Sequence, residues 1–130
     1  MRENSFLYVL LKSVQKHIYK IKYVYLFMTD KKILEITKAL SNATRLDILK
    51  WLKDPETNFP PHKELGHFND GVCGQHIKDK SGLSQPTISH YLSGMHKADL
   101  LITTRHGKWT YFKRNEEVIK NYLDTIRQRL

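Results

Sequence analysis

Apolar side chains recur at helical spacing along most of the chain, and the clearest instance follows Ser84. At roughly 100° per residue, Ile88, Tyr91, Leu92, Met95 and Ala98 fall within an arc of about 120°, with Ser89, His90, Ser93 and Lys97 on the opposite side. This pattern predicts a helix that starts near Gln85 and has one packed face and one free face. Ser84 is placed to cap it, and Pro86 fits the first turn, where a missing backbone N–H does no harm. Residues 31–41 carry Ile33, Ile36 and Leu40 on one side, and residues 43–53, with Asn42 as cap, carry Leu46, Leu49 and Leu52. Residues 116–130 place Val118, Ile119, Tyr122, Leu123, Ile126 and Leu130 within about 140°. A shorter helix is expected over residues 72–80, with Val72, Cys73 and Ile77 inward.

The period changes after Leu101. Residues 101–105 and 109–113 are rich in Thr, Ile, Trp, Tyr and Phe, and His106-Gly107-Lys108 separates them, which predicts a β-hairpin with a basic tip. Lys80-Ser81-Gly82-Leu83 makes the turn between two helices, with Gly82 allowing the tight backbone and Leu83 plugging the angle. Helix, turn, helix and basic hairpin in this order describe a winged helix-turn-helix, so the expected fold class is mainly α with a small β-hairpin. The stretch 54–71 holds Pro55, Pro60-Pro61, Gly66 and Gly71, and it reads as a long solvated connection with one turn of helix at most.

Residues 29–130 make one domain; residues 1–28 form an N-terminal extension of unusual composition. No Gly, Ala or Pro precedes Ala39, and no acid lies between Glu3 and Asp30. Two readings stand: upstream sequence translated from a start placed ahead of Met28, or an extra amphipathic helix with Leu7, Leu10, Leu11, Val14, Ile18, Ile21 and Tyr25 on one face. The run Phe6–Leu11 is too short for a signal peptide. Lys12, Lys16, Lys20 and Lys22 interrupt any membrane span, although attachment to an anionic membrane surface stays an alternative.

Charge narrows the partner. Lys and Arg number 22 against 13 acids, a formal +9, and from residue 31 onward 17 basic residues still face 11 acidic ones. A polyanion is the expected partner. The free face after Ser84 carries hydroxyl, imidazole and ammonium groups and no carboxylate, an inventory suited to base edges and phosphates. Cys73 is the single cysteine, so no intramolecular disulfide forms and a cytoplasmic setting is expected. No Gly-rich phosphate loop, Ser-His-Asp set or paired-carboxylate motif occurs; the chain reads as a binding protein rather than an enzyme, with no cofactor.

Several segments together resemble the ArsR/SmtB family of small winged-helix repressors. They are Ala43-Thr44-Arg45-Leu46 followed by Ile48-Leu49, the run from Gly82-Leu83-Ser84-Gln85 through Pro86-Thr87-Ile88-Ser89 to His90-Tyr91-Leu92, then Ala98-Asp99-Leu100-Leu101, and Gly107-Lys108-Trp109-Thr110-Tyr111. The similarity runs from about Lys31 to Leu130. The resemblance implies a homodimer that binds double-stranded DNA at an inverted-repeat operator. It would contact DNA through Ser84, Gln85, Thr87, Ser89 and His90 on the helix and through Arg105, His106 and Lys108 on the wing. Dimerisation through the first and last helices of the domain would use Ile33, Ile36, Val118, Tyr122 and Ile126, although packing within one subunit leaves the same pattern.

Many members of that family bind metals through a Cys-x-Cys pair or through His and carboxylates on the last helix. Here Cys73 matches the first thiolate, Gln75 stands at the second, Lys78 at an occasional third, and the last helix has no His, so no metal site is expected. The remaining alternative is a zinc-responsive repressor using Cys73 and His76 with His62 and His67. A second alternative is a winged-helix module for RNA or protein, since a fold does not dictate its partner. Gln85, Thr87, Ser89 and His90 at the helix start favour duplex DNA, because side chains have little access to the A-form RNA major groove.

Overall fold

The computed structural model describes residues 5–26 and 28–130, apart from the side chains of residues 19–26. Seven helices and three strands occur among the described residues: α1 Ser5–Leu26, α2 Asp30–Leu40, α3 Ala43–Lys53, α4 Pro55–Asn58, β1 Val72–Cys73, α5 Gly74–Ser81, α6 Gln85–Lys97, β2 Leu101–His106, β3 Trp109–Arg114 and α7 Glu116–Arg129. The extension is helical as α1 and packs against α7; of its apolar stripe, Ile21 and Tyr25 lie outside the described side chains.

Caps fix where the helices start. The Thr29 hydroxyl accepts from the Lys32 N–H at 3.1 Å, and the Asn42 side chain accepts from the Arg45 N–H at 3.0 Å. The core-facing arc of α3 is Ile48, Leu49 and Leu52, while Leu46, expected inside, is 41% exposed. Three-residue spacing drifts about 60° per step around a helix, which carries Leu46 off the arc that the other three share. Of the expected packed face after Ser84, Ile88, Leu92, Met95 and Ala98 are buried and Tyr91 is half-buried. Beyond it Asp99 takes the left-handed conformation (φ 61°) that ends the helix, and its carboxylate pairs with Lys32.

The expected helix over 72–80 is corrected at its start. Val72 and Cys73 form β1, pairing antiparallel with Phe112 and Tyr111 of β3, and α5 begins only at Gly74. The hairpin is therefore part of a three-stranded sheet in the order β1-β3-β2. Gly71, at φ +98°, delivers the chain to that edge so tightly that a Cβ there would collide with the Phe112 carbonyl. Pairing runs from Leu101 opposite Arg114 to His106 opposite Trp109 and leaves Gly107-Lys108 as a two-residue turn, with Gly107 at φ +59°. His106 thus ends a strand and does not belong to the tip.

α7 also departs from its expected stripe. Asn121 and Thr125 are its buried residues, with the Thr125 hydroxyl donating to the Asn121 carbonyl at 2.7 Å, while Leu123 is 55% exposed. Val118, Ile119 and Tyr122 lie half-buried against a core centred on Ile36, Ile48, Ile77, Ile88, Met95 and Leu100. The connection 59–71 is not merely solvated, since Phe59 and His62 are buried. No helix among the described residues is long and apolar enough to cross a membrane.

Candidate nucleic-acid interface

The turn between α5 and α6 sets the angle of the exposed helix. Gly82 adopts φ +67° and donates its N–H to the Lys78 carbonyl at 3.1 Å, while the Ser81 hydroxyl accepts from the Leu83 N–H at 3.2 Å. Ser84 then caps α6 as expected, accepting from the Thr87 N–H at 3.4 Å and meeting the Thr87 hydroxyl at 2.9 Å. With its hydroxyl engaged in the cap, Ser84 shapes the helix start. Gln85, Ser89, His90, Ser93 and Lys97 project from the free face, all exposed, and Thr87 is half-buried. Carboxylates are absent from α6, and an uncovered helix start favours anions.

Between this face and the wing runs a cleft of about 430 Å³, lined by Gln85, Ser89, Ser93, His96 and Gln75 on the helical side and by Lys108, Trp109 and Thr110 on the wing. Gln85, Ser89 and Lys108, singled out separately in the sequence, thus share one surface. Ser93 and His96 extend that surface along α6, and Gln75 and Thr110 join it without having been expected there, because only the fold brings α5 and β3 beside α6. His90 lies elsewhere, in a second cleft of about 450 Å³ with Glu35, Lys38, Arg45, Tyr91 and Lys97. Arg45 stacks over the Tyr91 ring at 5.1 Å and donates to the Ala39 carbonyl at 2.7 Å.

On the wing, Lys108 is exposed, with its ammonium 4.9 Å from the Trp109 ring centroid. Arg105 is exposed, and its Nε–H donates to the Gly107 carbonyl at 3.1 Å, which steadies the turn. His106 faces away from the cleft: its Nε2 lies 2.8 Å from an Asp70 carboxylate oxygen, so the ring is engaged with the 59–71 connection.

Two ionisable groups behind the wing are perturbed. The His76 imidazole titrates below its ordinary 6.5 because burial disfavours its charge and the neighbouring His62 adds to that effect, with Asp79 partly opposing. The Tyr111 phenol is raised by burial, reinforced by Cys73, Glu64 and Asp70.

No family model matches the chain. The fold is that of the solution structure of the homodimeric winged helix-turn-helix DNA-binding domain Mb0332 from Mycobacterium bovis (TM-score 0.53, 21% identity, 75% of this chain and 76% of that one). In sequence, the chain is 28% identical over 103 residues to an arsenical resistance operon repressor of Staphylococcus xylosus, covering 79% of this chain and 81% of the relative. It is 44% identical over 94 residues to the uncharacterized HTH-type transcriptional regulator YbzH of Bacillus subtilis, covering 72% of this chain and 94% of the relative. The chain belongs to the ArsR/SmtB family.

Within this ArsR/SmtB chain the structure does not gather the four candidate metal ligands at one point. Cys73 is 2% exposed on the edge strand β1. The His62 and His76 rings are neighbours at 5.6 Å, but His67 is exposed in the connection, where its Nδ1 accepts from the Asn69 N–H at 3.3 Å. Among the described residues no group of three or more His, Cys, Asp or Glu converges as a metal-binding cluster.

The residues expected at a dimer interface separate into two kinds. Ile36 is corrected: it is wholly buried in the protomer's own core and offers nothing to a partner. Ile33, Val118, Tyr122 and Ile126 are half-buried, and the Tyr122 hydroxyl meets the Thr37 hydroxyl at 2.9 Å, joining α7 to α2. The apolar side chains these two helices leave outside are Leu34, 67% exposed, and Leu123 of the α7 stripe, 55% exposed.

Proposed function

We propose that this ArsR/SmtB regulator acts in the cytoplasm as a homodimeric repressor that grips an inverted-repeat operator in duplex DNA. The observation that carries this reading is the shared surface of Gln85, Ser89 and Lys108, which sets hydrogen-bonding groups able to read base edges beside an ammonium placed for phosphate. Ser84 and Thr87 fix the helix start, His90 extends the readout along α6, and Arg105 and His106 support the wing. The homodimeric state of the Mycobacterium bovis domain supports pairing, and the exposed Leu34 and Leu123 supply apolar surface for it.

The test compares binding of the full chain to duplex DNA, duplex RNA and single strands by gel shift, then selects bound fragments from the source genome. Preference for duplex DNA and recovery of fragments sharing an inverted repeat are expected. Equal binding to duplex RNA, or recovered fragments with no common sequence, would refute the assignment.

A further inference from the structure

The 59–71 connection is joined to one face of the wing by three side-chain pairs. The Trp109 Nε1–H donates to a Glu64 carboxylate oxygen at 3.0 Å, His106 Nε2 lies 2.8 Å from Asp70, and the Tyr111 hydroxyl meets His62 Nδ1 at 2.9 Å. Trp109 and Tyr111 are two apart on β3 and His106 pairs across from Trp109, so all three project from the same face of the hairpin. Thr110 and Phe112 project from the opposite face and line the cleft against α6, whose rim Trp109 also reaches. The connection therefore holds the wing from the face that carries His106, Trp109 and Tyr111.

The connection is itself anchored. Phe59 is buried and packs edge-on against Trp51 at 6.4 Å, and the buried His62 ring sits edge-on to Trp109 at 4.8 Å and to Tyr111 at 5.5 Å. A physical line then runs from Glu64 to the Trp109 indole, and from that ring to the Lys108 ammonium stacked over it. β1 pairs only with Tyr111 and Phe112, so the wing beyond Tyr111 is a two-stranded ribbon; such a ribbon has little stability of its own, and ordering a loose one on binding costs affinity.

We propose that the 59–71 connection is a brace for the wing, in which Glu64, Asp70 and His62 are positioning residues that hold Lys108 at the angle a DNA duplex requires. This inference rests on reading the cleft as a DNA interface.

The experiment uses the full chain in four further forms: Glu64→Ala, Glu64→Gln, Lys108→Ala, and Glu64→Ala combined with Lys108→Ala. One readout is affinity for the strongest duplex from the genomic selection; the other, free of DNA, is amide hydrogen exchange across residues 104–111. Glu64→Ala is expected to speed exchange at the wing while α3 and α6 stay protected, and to weaken duplex binding on the order of fivefold. Glu64→Gln keeps an acceptor for the indole N–H and should restore both. The double variant should bind no worse than Lys108→Ala alone, because Glu64 acts through Lys108. Unchanged exchange in Glu64→Ala, or unchanged affinity, or a loss that adds fully to that of Lys108→Ala, would overturn the brace. If no form binds duplex DNA, the interface reading fails, and the exchange result still decides whether the connection holds the wing.

Discussion

His76 keeps ring nitrogen Nδ1 in the interior, beside His62, with no hydrogen-bond partner among the described residues. Because its pKa is lowered in the fold, the unfolded chain takes up a proton first as pH falls through 6.5, while the folded chain resists. Its contribution to stability is therefore undiminished above that pH and declines below it. We expect urea midpoints to drop between about pH 7.5 and about pH 5.5, and His76→Leu to flatten that dependence. An equal drop in both forms would place the acid sensitivity elsewhere. At the interface two residues should separate by kind of readout. Gln85→Ala should cost about 1–3 kcal/mol on the preferred duplex and little on unrelated DNA. Lys108→Ala should weaken both alike and reduce the salt slope by about one counterion. Titrations of both duplexes across a salt series check this, and a uniform loss from Gln85→Ala would contradict base readout.

Among the elements, β1 is two residues long and depends on Gly71 just before it. Gly71→Ala must both adopt φ +98° and clear the Phe112 backbone, so it should cost at least about 2 kcal/mol of stability, read from urea unfolding. An unchanged midpoint would show that the edge can shift. The sequence could not have revealed β1, because two residues carry no period and Val72, Cys73 and Ile77 satisfy a helical pattern equally well. The four longer helices of the domain were legible, since ten or more residues at 3.6 spacing leave little choice of face. α7 shows the limit of that signal: its partners select Asn121 and Thr125 for burial and leave Leu123 outside, a choice made by packing. The hairpin was legible in β-branched and aromatic content, but the pairs from His62, Glu64 and Asp70 to the wing span 36 to 49 residues and leave no local trace.

At the scale of the whole molecule, a two-fold dimer would present two copies of α6 to half-sites about 34 Å apart, one helical turn of DNA. Leu34→Asp with Leu123→Asp should yield monomers in sedimentation and abolish tight operator binding without unfolding the protomer, because both side chains are exposed. A persistent dimer would move the interface elsewhere. A chain beginning at Met28 keeps the buried Met28 side chain and the Thr29 cap, so it should fold and bind DNA like the longer form, checked by thermal melts and gel shift. Failure of that form would make residues 1–27 part of the working unit. At the other end, Arg129 donates to the Met28 carbonyl at 2.9 Å and pairs with Asp30 at 2.6 Å. The first and last turns of the 28–130 unit therefore meet, so its chain order could be rewired: a short flexible joint from Leu130 back to Met28, with new ends opened at an exposed turn outside the wing and the 59–71 connection, would ask no element to move.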